Sequence, residues 1–319
     1  MSFSNPMLGE TFEFQNDKMR FVAEKASHHP PIMVCHAEGE GWEYWATNEA
    51  KNTLNGKPVL ANVERKWFTG LTGKSFEVVP IGWAHLKIGE DHYRWLVFLI
   101  RPLVSVFIHS SPRDKPSSFV RNIISGKGKY FEHVGPMTIE SARTGSYVDV
   151  EFKEATLWNK KNKNAITGAI FSSSDVLQGT LNGAWDHEVY FTPDEGEKRK
   201  IWTINPFPPN SPQYYGFTYF AMGLNELTPE LAASLPPTDS RRRPDQRLLE
   251  EGKLREAEAE KVRLEEAQRD RRHRGVDIKP RWFEKVGDGE DGEGQEWVFK
   301  KTYWNARETE WVNEGEPLW

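Results

Sequence analysis

Two adjacent histidines locked ahead of two prolines are the residues of this chain best suited to chemistry. The segment is Ser27-His28-His29-Pro30-Pro31, with Glu24 upstream and the apolar run Ile32, Met33 and Val34 downstream. Each proline fixes its own φ and pushes the preceding residue towards extended geometry, which predicts a β-like His29. Neighbouring side chains of an extended segment point to opposite faces, so the pair is poorly placed to ligate one metal. It is better placed to present ring N–H groups to an anion. The bland alternative is a proline-terminated strand end with two surface histidines. A second set lies near the other end of the chain, where Lys261, Glu265 and Arg269 follow at successive steps of four. On a helix that spacing stacks all three along one face; taken alone, it reads as a solvated salt-bridge ladder worth about 0.2–0.5 kcal/mol per pair.

Both sets need elements to hold them. From Thr11 to about Ile204 the chain reads as short strands broken by turns, among them Gly41 to Thr47, Tyr147 to Phe152 and His187 to Phe191. Alternating or aromatic-rich runs at short intervals point to an antiparallel meander closing into a barrel. Gly145-Ser146 and Asn182-Gly183 are the expected turns. A Pro-rich segment from Pro206 to Pro212 breaks the pattern. Beyond it a helix is expected from Asp245, near its N-cap, to about Arg274, with Gly275 as its stop and Gly252 as a weak point. Leu248, Leu249, Leu254, Val262 and Leu264 give that helix a narrow apolar stripe. Pro280 to Phe283 and Glu296 to Phe299 read as two strands joined by the acidic Gly-rich turn from Gly287 to Gly294. The expected fold is mainly β with α: a large antiparallel incomplete β-barrel, the C-terminal helix and hairpin packed outside it, in one domain over residues 1–319.

Composition removes several classes of function. A formal charge of −5 gives no global attraction to nucleic acid, so any anion site must be local. With one cysteine, Cys35, no intramolecular disulfide can form, and the N-terminus carries no secretory signal; a cytoplasmic location is expected. Cys35 reads as a small buried residue. Gly287 to Gly292 satisfies a G-x-G-x-x-G string, yet no helix follows and its acids would repel a pyrophosphate. No G-x-S-x-G surrounds Ser27, so a nucleophile elbow is absent. His36, His85, His92, His133 and His187 are scattered without ligand spacing and read as surface or satisfied histidines. Arg241-Arg242-Arg243 reads equally as a contact for anionic head groups or as a solvated turn.

Several strings together carry a resemblance. They are Asn5-Pro6-Met7-Leu8-Gly9-Glu10, Glu24-Lys25-Ala26-Ser27-His28-His29-Pro30-Pro31, Pro209 to Thr218, Leu224 to Leu227 and Leu235 to Gln246. The chain resembles the oxysterol-binding protein family, whose hallmark is Glu-Gln-Val-Ser-His-His-Pro-Pro; the second and third positions depart here. The resemblance implies a barrel enclosing a lipid tunnel. It also implies that His28, His29, Lys261, Glu265 and Arg269 surround the head group of phosphatidylinositol 4-phosphate. A family lysine has Ser2 in its place, which predicts weaker phosphate binding. Family domains begin well upstream with a lid over the tunnel mouth, so the expectation is a domain lacking that lid. The pattern stops at Tyr93-Arg94-Trp95 and resumes at Lys115, which makes residues 96–114 an atypical insertion. That insertion is too short, and too interrupted by Arg101-Pro102, to span a membrane.

The function implied is binding of a sterol and/or phosphatidylinositol 4-phosphate and its transfer between membranes. The carrier would be a cytoplasmic, monomeric protein touching membranes peripherally and transiently, with no enzymatic activity, metal, cofactor or nucleic-acid partner. Two alternatives stand beside it. One is a degenerate or truncated family copy without transfer activity. The other is a hydrolase with His28 or His29 as general base, for which no nucleophile or orienting acid stands at a recognisable spacing.

Overall fold

Side-chain alternation decides which face each strand of this chain shows to what. The computed structural model describes residues 5–54, 57–58, 76–97, 117–121, 130–155, 162–214, 216–276, 278–287, 296–309, 311 and 318–319. These fall into two compact units, Met1–Thr47 with Asn205–Trp319, and Asn48–Ile204.

The first unit opens with strands β1 (Thr11–Gln15), β2 (Met19–Ser27), β3 (Ile32–Gly39) and the start of β4 (Trp42–Leu54), in the order β1-β2-β3-β4. Thr11 lies opposite Glu24, Glu13 opposite Val22, and Val22 in turn opposite His36. Alternation therefore puts Thr11, Glu13, Val22, Glu24, Val34 and His36 on one face. Phe12, Phe14, Phe21, Ala23, Lys25, Met33 and Cys35 take the other. Val22 to Ala26 are buried in succession, so both faces are covered. The register shifts between Lys25 and Ser27, a bulge at the end of β2 just before the histidines. Cys35 is buried, as its type predicted.

In the second unit β4 continues, followed by β5 (Lys57–Pro58), β6 (Phe76–Ile88), β7 (Asp91–Val97), β8 (Ser117–Arg121) and β9 (Tyr130–Ser141). After these come β10 (Tyr147–Phe152), β11 (Ala165–Phe171), β12 (Leu177–Ala184), β13 (Glu188–Pro193) and β14 (Arg199–Thr203). The order is β4-β6-β7-β9-β10-β11-β12-β13-β14, with β5 on β4 and β8 between β6 and β9. From β9 onward this is the expected antiparallel meander. Gly145 lies in the β9–β10 turn with φ of 71°. Asn182-Gly183 corrects an expectation: both sit inside β12, and the turn falls at 185–187. A Cβ at Gly183 would stand 2.2 Å from the Glu188 carbonyl oxygen, so this glycine serves close approach of β13. Of the insertion at 96–114, only Leu96 and Val97, at the end of β7, are among the described residues.

The chain then returns to the first unit. Helices α1 (Tyr219–Gly223) and α2 (Pro229–Ser234) start on Thr218 and Thr228, whose side chains accept from backbone N–H groups in the first turn. The single helix expected from Asp245 is two: α3 (Pro244–Glu250) and α4 (Leu254–His273). Gly252, with φ of 77°, sits in the break, and proline rather than aspartate opens α3. The predicted apolar stripe is also corrected. Leu254 and Val262 are exposed, and only Ala257 and Leu264 of α4 are buried. Strands β15 (Phe283–Val286) and β16 (Glu296–Phe299) pair as a hairpin, the first starting at Phe283, where the expected strand from Pro280 ended, and α5 (Tyr303–Glu308) follows. The turn residues 288–295 lie outside the described set. Trp282, Phe283, Phe299, Tyr303, Trp304 and Trp311 pack on Val22, Ala26, Ile32 and Val34, so the C-terminal segment covers the first face of β2 and β3.

Charges buried on that side are fully engaged. Glu24 accepts from the N–H groups of Arg281 (2.7 Å) and Trp282 (2.9 Å). Glu13 accepts from the Tyr303 hydroxyl and from Arg307 Nε, both at 2.8 Å. The arginine triplet is neither a head-group contact nor a solvated turn. Arg243 Nη1 donates to Glu10 (2.8 Å) and to the Asn5 carbonyl (3.0 Å), while its Nη2 donates to Asp245 (3.0 Å). Arg241 holds Asp239 through Nε and Nη2, each at 2.8 Å, and Arg242 donates to the carbonyls of Ala232 and Leu235. Three acids placed at short range captured arginines that sequence alone left facing water.

Candidate functional site

The histidine segment, residues 28–31, is a turn between β2 and β3, with a cis peptide between His29 and Pro30. The segment is thus a turn where a strand end was expected. The two rings do not point to opposite faces but meet edge-on, their centroids 4.7 Å apart. A turn removes the alternation on which that expectation rested. His29 is exposed, whereas His28 is half-buried and its Nδ1 is enclosed without a hydrogen-bond partner.

Helix α4 is pinned beside the N-terminal segment by its one buried stripe. Ala257, Leu264 and half-buried Lys261, Gln268 and Arg271 recur at helical spacing. Gln268 Oε1 accepts from the Leu8 N–H at 3.1 Å, and Arg271 Nη2 donates to the Leu318 carbonyl at 2.5 Å. Gly9 leaves no room for a side chain, since a Cβ there would lie 2.9 Å from Ile278.

The histidine turn and the helix come within electrostatic reach of each other. Burial holds His28 below the ordinary histidine range, and His29, Lys25 and Arg272 push the same way, while Glu265 opposes them. Near neutral pH His28 is therefore mostly uncharged. Of the five residues singled out by sequence, His28, His29 and Glu265 thus share one neighbourhood. Lys261 is half-buried, with Glu258 at 3.8 Å. Arg269 is exposed, and no contact of it with the histidine turn is seen among the described residues. Ion pairs on α4 include Lys261–Glu258 and Arg263–Glu260.

Two neighbours escaped the sequence reading. Arg272 lies seven residues after Glu265, which on a helix returns it to within roughly 20° of the same face. That spacing was available. Lys25 is the departure inside the histidine string itself, and its residue type was the signal.

Two further histidine groupings were not legible. His36, Glu38 and Glu43 bring ligand-type atoms within 4.8 Å of one another. Each acid already has a cation: Arg20 pairs with Glu38, and Lys301 lies 3.4 Å from Glu43, which also meets His36 Nε2 at 2.9 Å. In the second unit His85 Nδ1 lies 3.0 Å from His92 Nε2, and burial, followed by His92, takes the His85 pKa down to about 4. Both His36 and His85 are buried and partnered across strands, a proximity that linear spacing does not reveal.

No helix among the described residues is long and apolar enough to cross a membrane. The family model described as Oxysterol-binding protein matches residues 3–308. The human oxysterol-binding protein-related protein 7 is 36% identical over 99% of this chain and 34% of its own length. The mouse oxysterol-binding protein-related protein 3 is 37% identical over 95% of this chain and 31% of its own. The chain thus spans about a third of the length of these curated relatives. Among solved structures, the Osh3 ORD in complex with PI(4)P from Saccharomyces cerevisiae superposes with a TM-score of 0.77 at 29% identity, covering 98% of this chain and 74% of that one. The Osh1 ORD domain in complex with ergosterol gives 0.75 at 26% identity, covering 98% and 72%. The mainly β antiparallel architecture is shared with these structures, and with a family match running over nearly its whole length the chain belongs to the oxysterol-binding protein family.

Proposed function

We propose that this chain acts as one lipid-binding domain, holding either a sterol or phosphatidylinositol 4-phosphate and carrying it between membranes. The single observation that supports it most is that Glu265 and Arg272 of α4 lie within electrostatic reach of His28, which brings carboxylate, guanidinium and imidazole from opposite ends of the chain into one neighbourhood. His28, His29, Lys261, Glu265 and Arg269 are the head-group ligands on this reading. Arg269 offers a planar fork to phosphate oxygens, Lys261 a compact charge, and Glu265 an acceptor for an inositol hydroxyl. Sterol or acyl chains gain burial against the apolar face of β1 to β3, at roughly 25 cal/mol per Å² of surface removed from water. Solved relatives in complex with PI(4)P, ergosterol and cholesterol favour the same two ligand classes. Cytoplasmic residence and transient, peripheral contact with membranes belong to this reading, as does a monomeric, non-catalytic protein.

The test is extraction of phosphatidylinositol 4-phosphate from phosphatidylcholine liposomes. His28→Ala with His29→Ala abolishes extraction while sterol binding survives. Extraction at the wild-type level by that double variant refutes the site.

A further inference from the structure

A buried lysine lies beside the histidine turn with no counter-charge of its own. Lys25 is only 5% exposed and sits opposite Met33 in the ladder, on the face of Ala23 and Cys35 rather than that of Glu24. It makes no ion pair or hydrogen bond through its ammonium among the described residues. The acid whose field reaches it is Glu10, and Glu10 is already held by Arg243 Nη1 and by the Met7 N–H, each at 2.8 Å. Its field also reaches His28, three residues on, whose Nδ1 is enclosed without a partner. Burial lowers the Lys25 pKa, with Glu10 opposing. The imidazole nitrogen is withdrawn from water without a partner, which is costly unless a polar group completes it, and the Lys25 ammonium nearby makes no ion pair among the described residues. The bulge at the end of β2 separates the two by a turn of chain instead of by a regular strand step.

We infer that Lys25 is a direct ligand of the bound phosphate monoester, its ammonium donating to a phosphate oxygen from the inner side of the turn while His28 Nδ1–H donates beside it. The inference rests on the head-group site proposed above and extends it to a residue at which the histidine string departs from the family pattern. The competing role is a stem that merely covers apolar surface. Lys25→Met keeps the stem and removes the charge, so it separates the two.

The probes are phosphatidylcholine liposomes carrying phosphatidylinositol 4-phosphate, soluble inositol 1,4-bisphosphate, inorganic phosphate, and a fluorescent sterol. Lys25→Met is expected to lower lipid extraction and inositol 1,4-bisphosphate affinity about tenfold or more, with sterol binding and thermal midpoint retained. Lys25→Arg keeps a cation at the site and is expected to stay within about threefold of wild type. Wild-type extraction by Lys25→Met, alongside loss in the His28→Ala/His29→Ala variant, overturns the role of Lys25 alone. A wild-type protein that extracts no phosphatidylinositol 4-phosphate overturns this inference and the proposed function together. A loss confined to inorganic phosphate, with lipid extraction unchanged, overturns the lipid assignment in favour of a free anion. Should Lys25→Met lower the midpoint, Lys25→Gln gives the same comparison with a polar neutral side chain of shorter reach.

Discussion

The two faces of β2 treat buried charge in opposite ways. On one, Glu24 and its neighbour Glu13 are closed off by the C-terminal segment, with two donors each between 2.7 and 2.9 Å. On the other, Lys25 is buried but makes no ion pair among the described residues, and the turn that follows carries a histidine nitrogen enclosed without a partner. A few residues of one strand thus hold both a finished network and an unfinished one. The contrast is the ground for the proposed ligand site: satisfied buried charges hold segments together, while a group left without a partner is one that an outside anion can complete.

Breaking the finished side gives the largest expected effect. Arg243→Ala strands Glu10 and Asp245 in the interior and is expected to cost about 3–5 kcal/mol in urea unfolding. An unfolding midpoint equal to wild type would show that the network is loosely solvated. Next comes the pH response of Glu24, whose pKa burial pushes up from 4.5 to about 7. The folded state binds this proton more tightly than the unfolded one, so its stabilising contribution is full below 4.5 and is lost as pH rises through 7. Glu24→Gln removes that slope, a difference of about 1–3 kcal/mol between pH 5 and pH 8 by chemical denaturation. An identical slope in both proteins would assign the titration elsewhere.

The unfinished side responds in binding and not in stability. Because His28 is held low in the free protein and an anion raises it, binding near pH 6.5 should take up at most about one proton per lipid. Calorimetry in buffers of different ionisation enthalpy measures the uptake, and His28→Ala should remove it. Affinity accordingly rises as pH falls from 8 towards 6, until the phosphate loses its own second charge near pKa ≈ 6. The smallest effect sharpens the helix register. Arg272→Ala should weaken extraction by about threefold, through its field on His28, and less than Arg269→Ala, which removes a proposed ligand. The reverse order would move the guanidinium contact from Arg269 to Arg272.

Much of the fold was legible where local patterns govern. Tyr147 to Phe152 and the hairpin strand Glu296 to Phe299 read correctly because alternation acts over a few positions, whereas the strand expected from Pro280 begins only at Phe283. Gly183 misled, since asparagine–glycine is permitted in a turn but equally suits a strand pressed against its neighbour. Of the proposed site, His28, His29, Lys261, Glu265 and Arg269 come from the resemblance, whereas the nearness of Lys25 and Arg272 to His28 needed coordinates, although spacing and residue type hinted at both.

The sequence by itself determined the family, the strand-rich architecture and the residues able to meet a phosphate, because string identity and periodicity are properties of the chain alone. Only the tertiary structure decided which charges are spent. Arg241 and Arg243 look as available as Lys25 in the linear chain, yet they are neutralised by Asp239, Glu10 and Asp245 at 2.8–3.0 Å, while Lys25 is not. Coulomb energy depends on distance and burial, and neither is written in the order of residues.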